Sequence, residues 1–156
     1  MHAVRGAHAA SGRAKVERGR GALARLVAAI IGFPPACSDV PVVVAFDTST
    51  NGEIWRRTFG KRSFSSRQSC GGARSQHLLC EHFGPLRFDM ALVASSERLS
   101  LVLRRWSIFG LPLPMALCPR SESYESTENG RFNFHVRISH PLTGLIVQYD
   151  GWLVRA

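Results

Sequence analysis

Few residues in this chain have both the type and the spacing that chemistry needs. His77, Cys80 and His82 are metal-ligating types, but side chains alternate along a strand, so Cys80 and His82 share one face and His77 takes the other. A tetrahedral zinc site needs ligands from elsewhere in the chain, so no metal is expected. Ser63, Ser65, Ser66 and Ser69 lie in a polar segment without a GxSxG elbow, and no Cys-His pair can be placed by spacing. Glu81, Asp89 and Glu97 are isolated acids, while Glu122, Glu125 and Glu128 read as a solvated loop. No set of residues performs a complete reaction. The expectation is a non-catalytic protein without a cofactor, with an enzyme of unknown type left open.

The more informative residues are polar or aromatic ones embedded in apolar strands. If Leu99, Leu101 and Leu103 face a core, Arg105 shares their side; if Val102 and Trp106 do, Arg104 shares theirs. A buried guanidinium must be paired, with Glu81, Asp89 or Asp150 as expected partners, or must meet a polar headgroup. Trp55, Trp106, Tyr149 and Trp152 suit core or rim packing, and aromatics also line small-molecule pockets. The candidate ligand-binding set is Arg57, Arg104, Arg105, Trp106, His135, Tyr149 and Trp152.

The elements that must position these residues follow from period and punctuation. Residues 1–21 are small, basic and aperiodic, and read as a flexible tail ahead of one β-rich domain over 22–156. Leu23, Leu26, Val27, Ile30 and Ile31 form a stripe at helical spacing, and Gly32 with Pro34-Pro35 ends it. The period then becomes two. Strands are expected around 42–46, 53–59, 62–69, 78–83, 86–93, 98–109, 131–139 and 145–154, with turns at Asn51-Gly52, Gly60-Lys61, Gly84-Pro85 and 141–144. Phe132, Phe134, Val136 and Ile138 face inward, alternating with Arg131, Asn133, His135 and Arg137. The fold class is mainly β: an antiparallel up-and-down sheet or barrel of about eight strands with one short N-terminal helix. No strand-helix-strand alternation and no GxGxxG occur, which excludes a nucleotide-binding α/β fold.

The 156 residues suit one domain. The net charge of +9 raises nucleic acid as a partner, but +5 of it falls within the first 25 residues and only two lysines occur. The local case for nucleic acid is the 53–69 hairpin, with Arg56, Arg57, Lys61, Arg62 and Arg67 on phosphates and Trp55 or Phe64 stacking on bases. Cys37, Cys70, Cys80 and Cys118 are too scattered for a CxxC motif or a disulfide scaffold, which favours a reducing cytoplasm. The longest apolar run, 26–37, is too short and proline-broken to span a membrane as a helix. The basic start with Arg25 in its apolar stretch is a poor signal peptide.

The landmarks Ile31-Gly32-Phe33-Pro34-Pro35, Asp39-Val40-Pro41-Val42, Trp55-Arg56-Arg57-Thr58-Phe59-Gly60, Phe83-Gly84-Pro85-Leu86, Arg104-Arg105-Trp106 with Gly110-Leu111-Pro112-Leu113-Pro114, and Tyr149-Asp150-Gly151-Trp152-Leu153 occur in one order. In order and spacing they resemble the bacterial family called domain of unknown function 4166, over roughly residues 10–154. Members of that family often follow saccharopine-dehydrogenase-like NAD-binding domains. The resemblance thus implies an accessory or ligand-binding domain associated with an NAD-dependent oxidoreductase, taking a small apolar or amphipathic ligand. It implies no catalytic residue. The alternative is a nucleic-acid-binding β domain using the 53–69 hairpin.

Overall fold

A computed structural model describes residues 8–70 and 78–155. Its strands are β1 (His8–Arg18), β2 (Cys37–Ser49), β3 (Gly52–Phe59), β4 (Arg62–Cys70), β5 (Leu79–Phe83), β6 (Leu86–Ala94), β7 (Leu99–Ile108), β8 (Leu111–Leu113), β9 (Arg120–Glu128), β10 (Arg131–His140) and β11 (Gly144–Arg155). Helix α1 (Ala22–Ile31) joins β1 to β2, and a 3₁₀ turn, Met115–Leu117, follows β8. Strands β1 to β7 pair in succession, β7 pairs with β9, and β9, β10 and β11 lead back to β1, every pair antiparallel. Ten strands therefore close a barrel, with the β7–β9 seam made by three residue pairs, Leu99–Glu125, Ser100–Tyr124 and Leu101–Ser123. β8 lies outside the ring and pairs only with the last turnward residues of β7, which is why Pro112 is tolerated in it.

The barrel has two strands more than the eight expected. The first is β1, placed where a flexible tail was expected: its inward residues Ala10, Gly12, Ala14 and Val16 are too small to produce a hydrophobic alternation. The second is β9, where a solvated acidic loop was expected, and whose residues are serine, threonine and glutamate apart from Arg120 and Tyr124, with no apolar alternation. Neither carries the apolar period that marks a strand, yet β1 is held by long ladders to β2 and β11, and β9 by a full ladder to β10 and three residue pairs to β7.

The β1–β11 seam is unusually close. A Cβ placed on Gly12 would lie 1.7 Å from the carbonyl oxygen of Trp152, so only glycine fits there.

Helix α1 has the predicted bounds, with Gly32 in the left-handed conformation donating its N–H to the Ala28 carbonyl. The stripe, however, divides. Ala24 and Ala28 are wholly buried and Val27 and Ile31 pack on the barrel core, while Leu23, Leu26 and Ile30 face outward. The helix lies across the barrel end where β1 stops and β2 starts. Arg18 fastens it: its Nη1 donates to the carbonyls of Phe33 (3.0 Å) and Pro34 (2.7 Å) in the connection that follows the helix. No helix among the described residues is long and apolar enough to cross a membrane.

The inward rows of the strands, with Val42, Val44, Phe59, Phe64, Tyr149 and Leu153 among the buried residues, form the core. Each such side chain contributes roughly 1.5–3 kcal/mol by leaving water. β7 contains the feature that decides its two arginines. Asp89 pairs with Arg105 and Met90 with Leu103, so Arg104 is the extra residue of a β-bulge. The bulge resets the alternation. Leu101, Leu103 and Trp106 can then all face inward while Arg104 and Arg105 both face outward. The expectation that one of the two must be buried is thereby corrected.

Candidate functional site: the lumen of the barrel

The inward side chains do not fill the ring. A small residue on β1 (Ala10) and serines on β9 (Ser121, Ser123) leave a cavity of about 730 Å³, lined mainly by apolar and aromatic groups such as Val44, Phe46, Phe88, Leu101, Phe134 and Ile138. Val27 and Ile31 of α1 and Phe33 close it at the helix-covered end. Ten strands enclose a wider lumen than eight, whose interior is just wide enough for side chains to fill or for one small ligand. The volume lies within the ~300–1,000 Å³ typical of small-molecule sites.

A few polar groups interrupt this apolar wall, and they converge. Arg57 on β3 points inward because it shares the face of Trp55 and Phe59. Its Nη1 donates to Ser66 Oγ at 2.8 Å and its Nη2 to Glu81 Oε1 at 3.2 Å. Ser66 Oγ (2.6 Å) and Gln68 Nε2 (3.2 Å) donate to the same Glu81 oxygen. The guanidinium also lies 5.2 Å from the ring centre of Trp55 and 5.7 Å from that of Phe64. With side chains only 15% and 10% exposed, Arg57 and Glu81 form a buried ion pair satisfied by its neighbours.

Two further polar groups border the lumen with no hydrogen-bond partner among the described residues: the carboxyl of Glu125 and the hydroxyl of Tyr149. Burial raises the pKa of Glu125, an effect opposed by the positive charge of Arg57 and reinforced by the negative charge of Glu81. Burial pushes the Tyr149 phenol up to about 12, with the same two charges acting on it. Tyr149 is held edge-on against Phe59 and Phe134, at 5.3 and 6.2 Å between ring centres. The lumen thus offers a long apolar wall and one cluster of hydrogen-bonding groups.

A family model matches residues 1–153, under the description Domain of unknown function (DUF4166). The chain belongs to this family. No curated protein matches it, and no solved structure does. The match spans the helix and every strand of the ring, β11 to within two residues of its end. The polar cluster is therefore built from residues that all lie inside the DUF4166 segment.

Of the residues singled out from sequence, Arg57, Trp106 and Tyr149 line the cavity, and the Trp106 indole N–H donates to the Pro114 carbonyl at 3.0 Å. His135 borders the cavity but sits on the strand face opposite Phe134 and Val136, bonded through Nδ1 to Asp150 and stacked on Tyr124. Trp152 lies outside the lumen beneath the Arg131 guanidinium. Arg104 is exposed, and Arg105 reaches Asp89 at 3.7 Å on the outer face. Glu125 and Gln68 were missed. The signal for Glu125 was the Asn129-Gly130 hairpin turn, which requires a strand ahead of it.

The other sequence-level candidates are dispersed. In the 53–69 hairpin Trp55 and Phe64 point into the lumen, away from Arg56 and Arg67, so the basic outer face has no stacking platform from them. His77 lies outside the described residues. Cys80 accepts a hydrogen bond from Arg87, and no group of three metal-ligating side chains converges among the described residues.

Proposed function

We propose that the barrel binds one small, predominantly apolar molecule carrying a polar head, held in the lumen without covalent chemistry. The observation that carries this reading is the pair of lumen-facing groups with no hydrogen-bond partner among the described residues, Glu125 and Tyr149, beside the buried Arg57–Glu81 pair. Buried polar groups are ordinarily hydrogen-bonded. A ligand head supplying both a donor and an acceptor satisfies both groups, while the hydrocarbon part removes apolar surface from water along the wall. Proximity to Glu81 and Glu125 disfavours an anionic head and favours a neutral hydroxyl, carbonyl or amide. Association with an NAD-dependent oxidoreductase, implied by the family resemblance, would make the bound molecule that enzyme's substrate or product.

Binding is tested by titrating the full chain with the fluorescent apolar probe N-phenyl-1-naphthylamine, alongside native mass spectrometry of protein as purified. The expected result is saturable binding of one probe per chain. It should be lost in Ala10→Phe and Ser123→Phe, which fill the lumen, while far-ultraviolet circular dichroism is retained. Equal binding by wild type and both filled variants would overturn the reading, because the probe would then sit on the outside.

A further inference from the structure

The two ends of the barrel differ in both polarity and charge. Of the exposed large apolar residues, Leu23, Leu26 and Ile30 on α1, Phe109 and Leu111 beside β8, Met115 and Leu117 in the 3₁₀ turn, and Leu142 in the β10–β11 turn all belong to the helix-covered end. They share that end, on either side of the β10–β11 turn. Gly19 N–H bonds the Ile146 carbonyl at 3.1 Å, seating the start of α1 against β11, and the His140 ring contacts the Leu117 carbonyl at 3.1 Å, joining the 3₁₀ turn to the end of β10. An exposed apolar patch of this extent, on a protein whose core lies elsewhere, marks an interaction surface.

Charge selects the partner. The segments that build this end, 19–36, 60–63, 107–121 and 139–146, contain Arg20, Arg25, Lys61, Arg62 and Arg120, all exposed, and not one Asp or Glu. The turns at the opposite end, 47–53, 94–98 and 127–131, contain Asp47, Glu53, Glu97 and Glu128 against Arg98 and Arg131. Helix α1 is itself amphipathic across its axis, with Ala24 and Ala28 against the barrel and Leu23, Leu26 and Ile30 outward. An apolar helical ridge within a rim of five exposed cations, with Glu17 and Asp39 paired to Lys15 and Arg13 on the barrel side, is what an anionic bilayer surface complements: hydrocarbon enters the interface while Arg and Lys remain at phosphate level. A second copy of this chain would bring the same cations face to face.

We infer that the helix-covered end of the barrel docks on anionic lipid bilayers, with Leu23, Leu26 and Ile30 inserting at the interface and Arg20, Arg25, Lys61, Arg62 and Arg120 contacting lipid phosphates. This docking is independent of the ligand reading, since an empty barrel presents the same surface. It is a peripheral contact of a barrel end rather than a span.

The test is co-sedimentation of the full chain with vesicles of phosphatidylcholine alone and of phosphatidylcholine mixed with phosphatidylglycerol. Binding is expected only to the anionic vesicles and should weaken as salt is raised. Arg20→Ala with Arg25→Ala should lower the partition coefficient roughly thirtyfold, taking about one kcal/mol for each cation near an anionic surface. Leu26→Asp with Ile30→Asp should abolish it with the circular dichroism spectrum unchanged, since both side chains are already exposed. Three outcomes overturn the inference: no sedimentation with anionic vesicles, undiminished binding by the double variants, or a wild-type dimer broken by Leu26→Asp and Ile30→Asp without any vesicle binding.

Discussion

Arg57 and Glu81, on strands separated in the sheet by β4, meet inside the barrel with Nη2 3.2 Å from Oε1. Removing either one leaves the other charge buried and uncompensated, so Arg57→Met or Glu81→Met alone should cost about 3–5 kcal/mol. Replacing both at once with methionine should be close to neutral, because the desolvation cost of the pair disappears with its attraction. Urea unfolding of the two single variants and the double variant checks this. A double variant that is stable but no longer holds the apolar probe would place the pair's value in ligand recognition rather than in folding.

Glu125 gives the fold a pH dependence of defined sign. Its pKa is raised by burial in the folded state, so the folded protein holds this proton more tightly than the unfolded chain does. That contribution is fully present below the ordinary carboxyl value of 4.5 and is lost as pH rises through the folded-state value. Glu125→Gln, which keeps the shape without the ionisation, should therefore gain stability relative to wild type as pH rises from 4.5 toward neutrality. Denaturant midpoints of both proteins across that range decide it; parallel curves would remove Glu125 from the account.

At the β1–β11 seam, Gly12→Ala must push apart two backbones that a Cβ would approach to 1.7 Å. Overpacking of this kind costs about 3 kcal/mol. The loss should appear as a lower thermal midpoint together with faster amide exchange on β1 and β11. Exchange confined to other strands would mean the strain is absorbed elsewhere.

Arg18→Met removes two charge-assisted bonds to the carbonyls of Phe33 and Pro34 while keeping the aliphatic stem. Bonds to charged groups contribute about 1.5–3 kcal/mol. The variant should free α1 in preference to the barrel, so the amides of residues 25–33 should exchange faster while β9 and β10 remain protected.

Strong periodicity made much of this fold legible before any coordinates. The alternation of Phe132, Phe134, Val136 and Ile138 specifies β10 and its inward face, and Gly32 with Pro34-Pro35 ends α1 where the structure ends it. Gly60-Lys61 locates the β3–β4 hairpin turn by local backbone preference alone. These features rest on residues near one another in sequence, whose conformational preferences act without help from the rest of the chain.

What only the tertiary structure decided depends on long-range pairing. β1 became a strand because β2 and β11 supply hydrogen-bond partners on both sides, a force that no local pattern of Ala, Gly and Arg announces. Arg104 and Arg105 both face outward because one residue is added opposite Asp89 and Met90, and a bulge is set by the partner strand's register rather than by the strand's own composition. The same pairing carries Glu81 and Arg57 to one point and leaves Glu125 and Tyr149 beside them. Sequence by itself determined a β-rich chain with one helix and buried aromatic rows. Ring closure, which sets the size of the lumen and which polar groups enter it, belongs to the tertiary structure, because it is the sum of pairings between residues far apart in the chain.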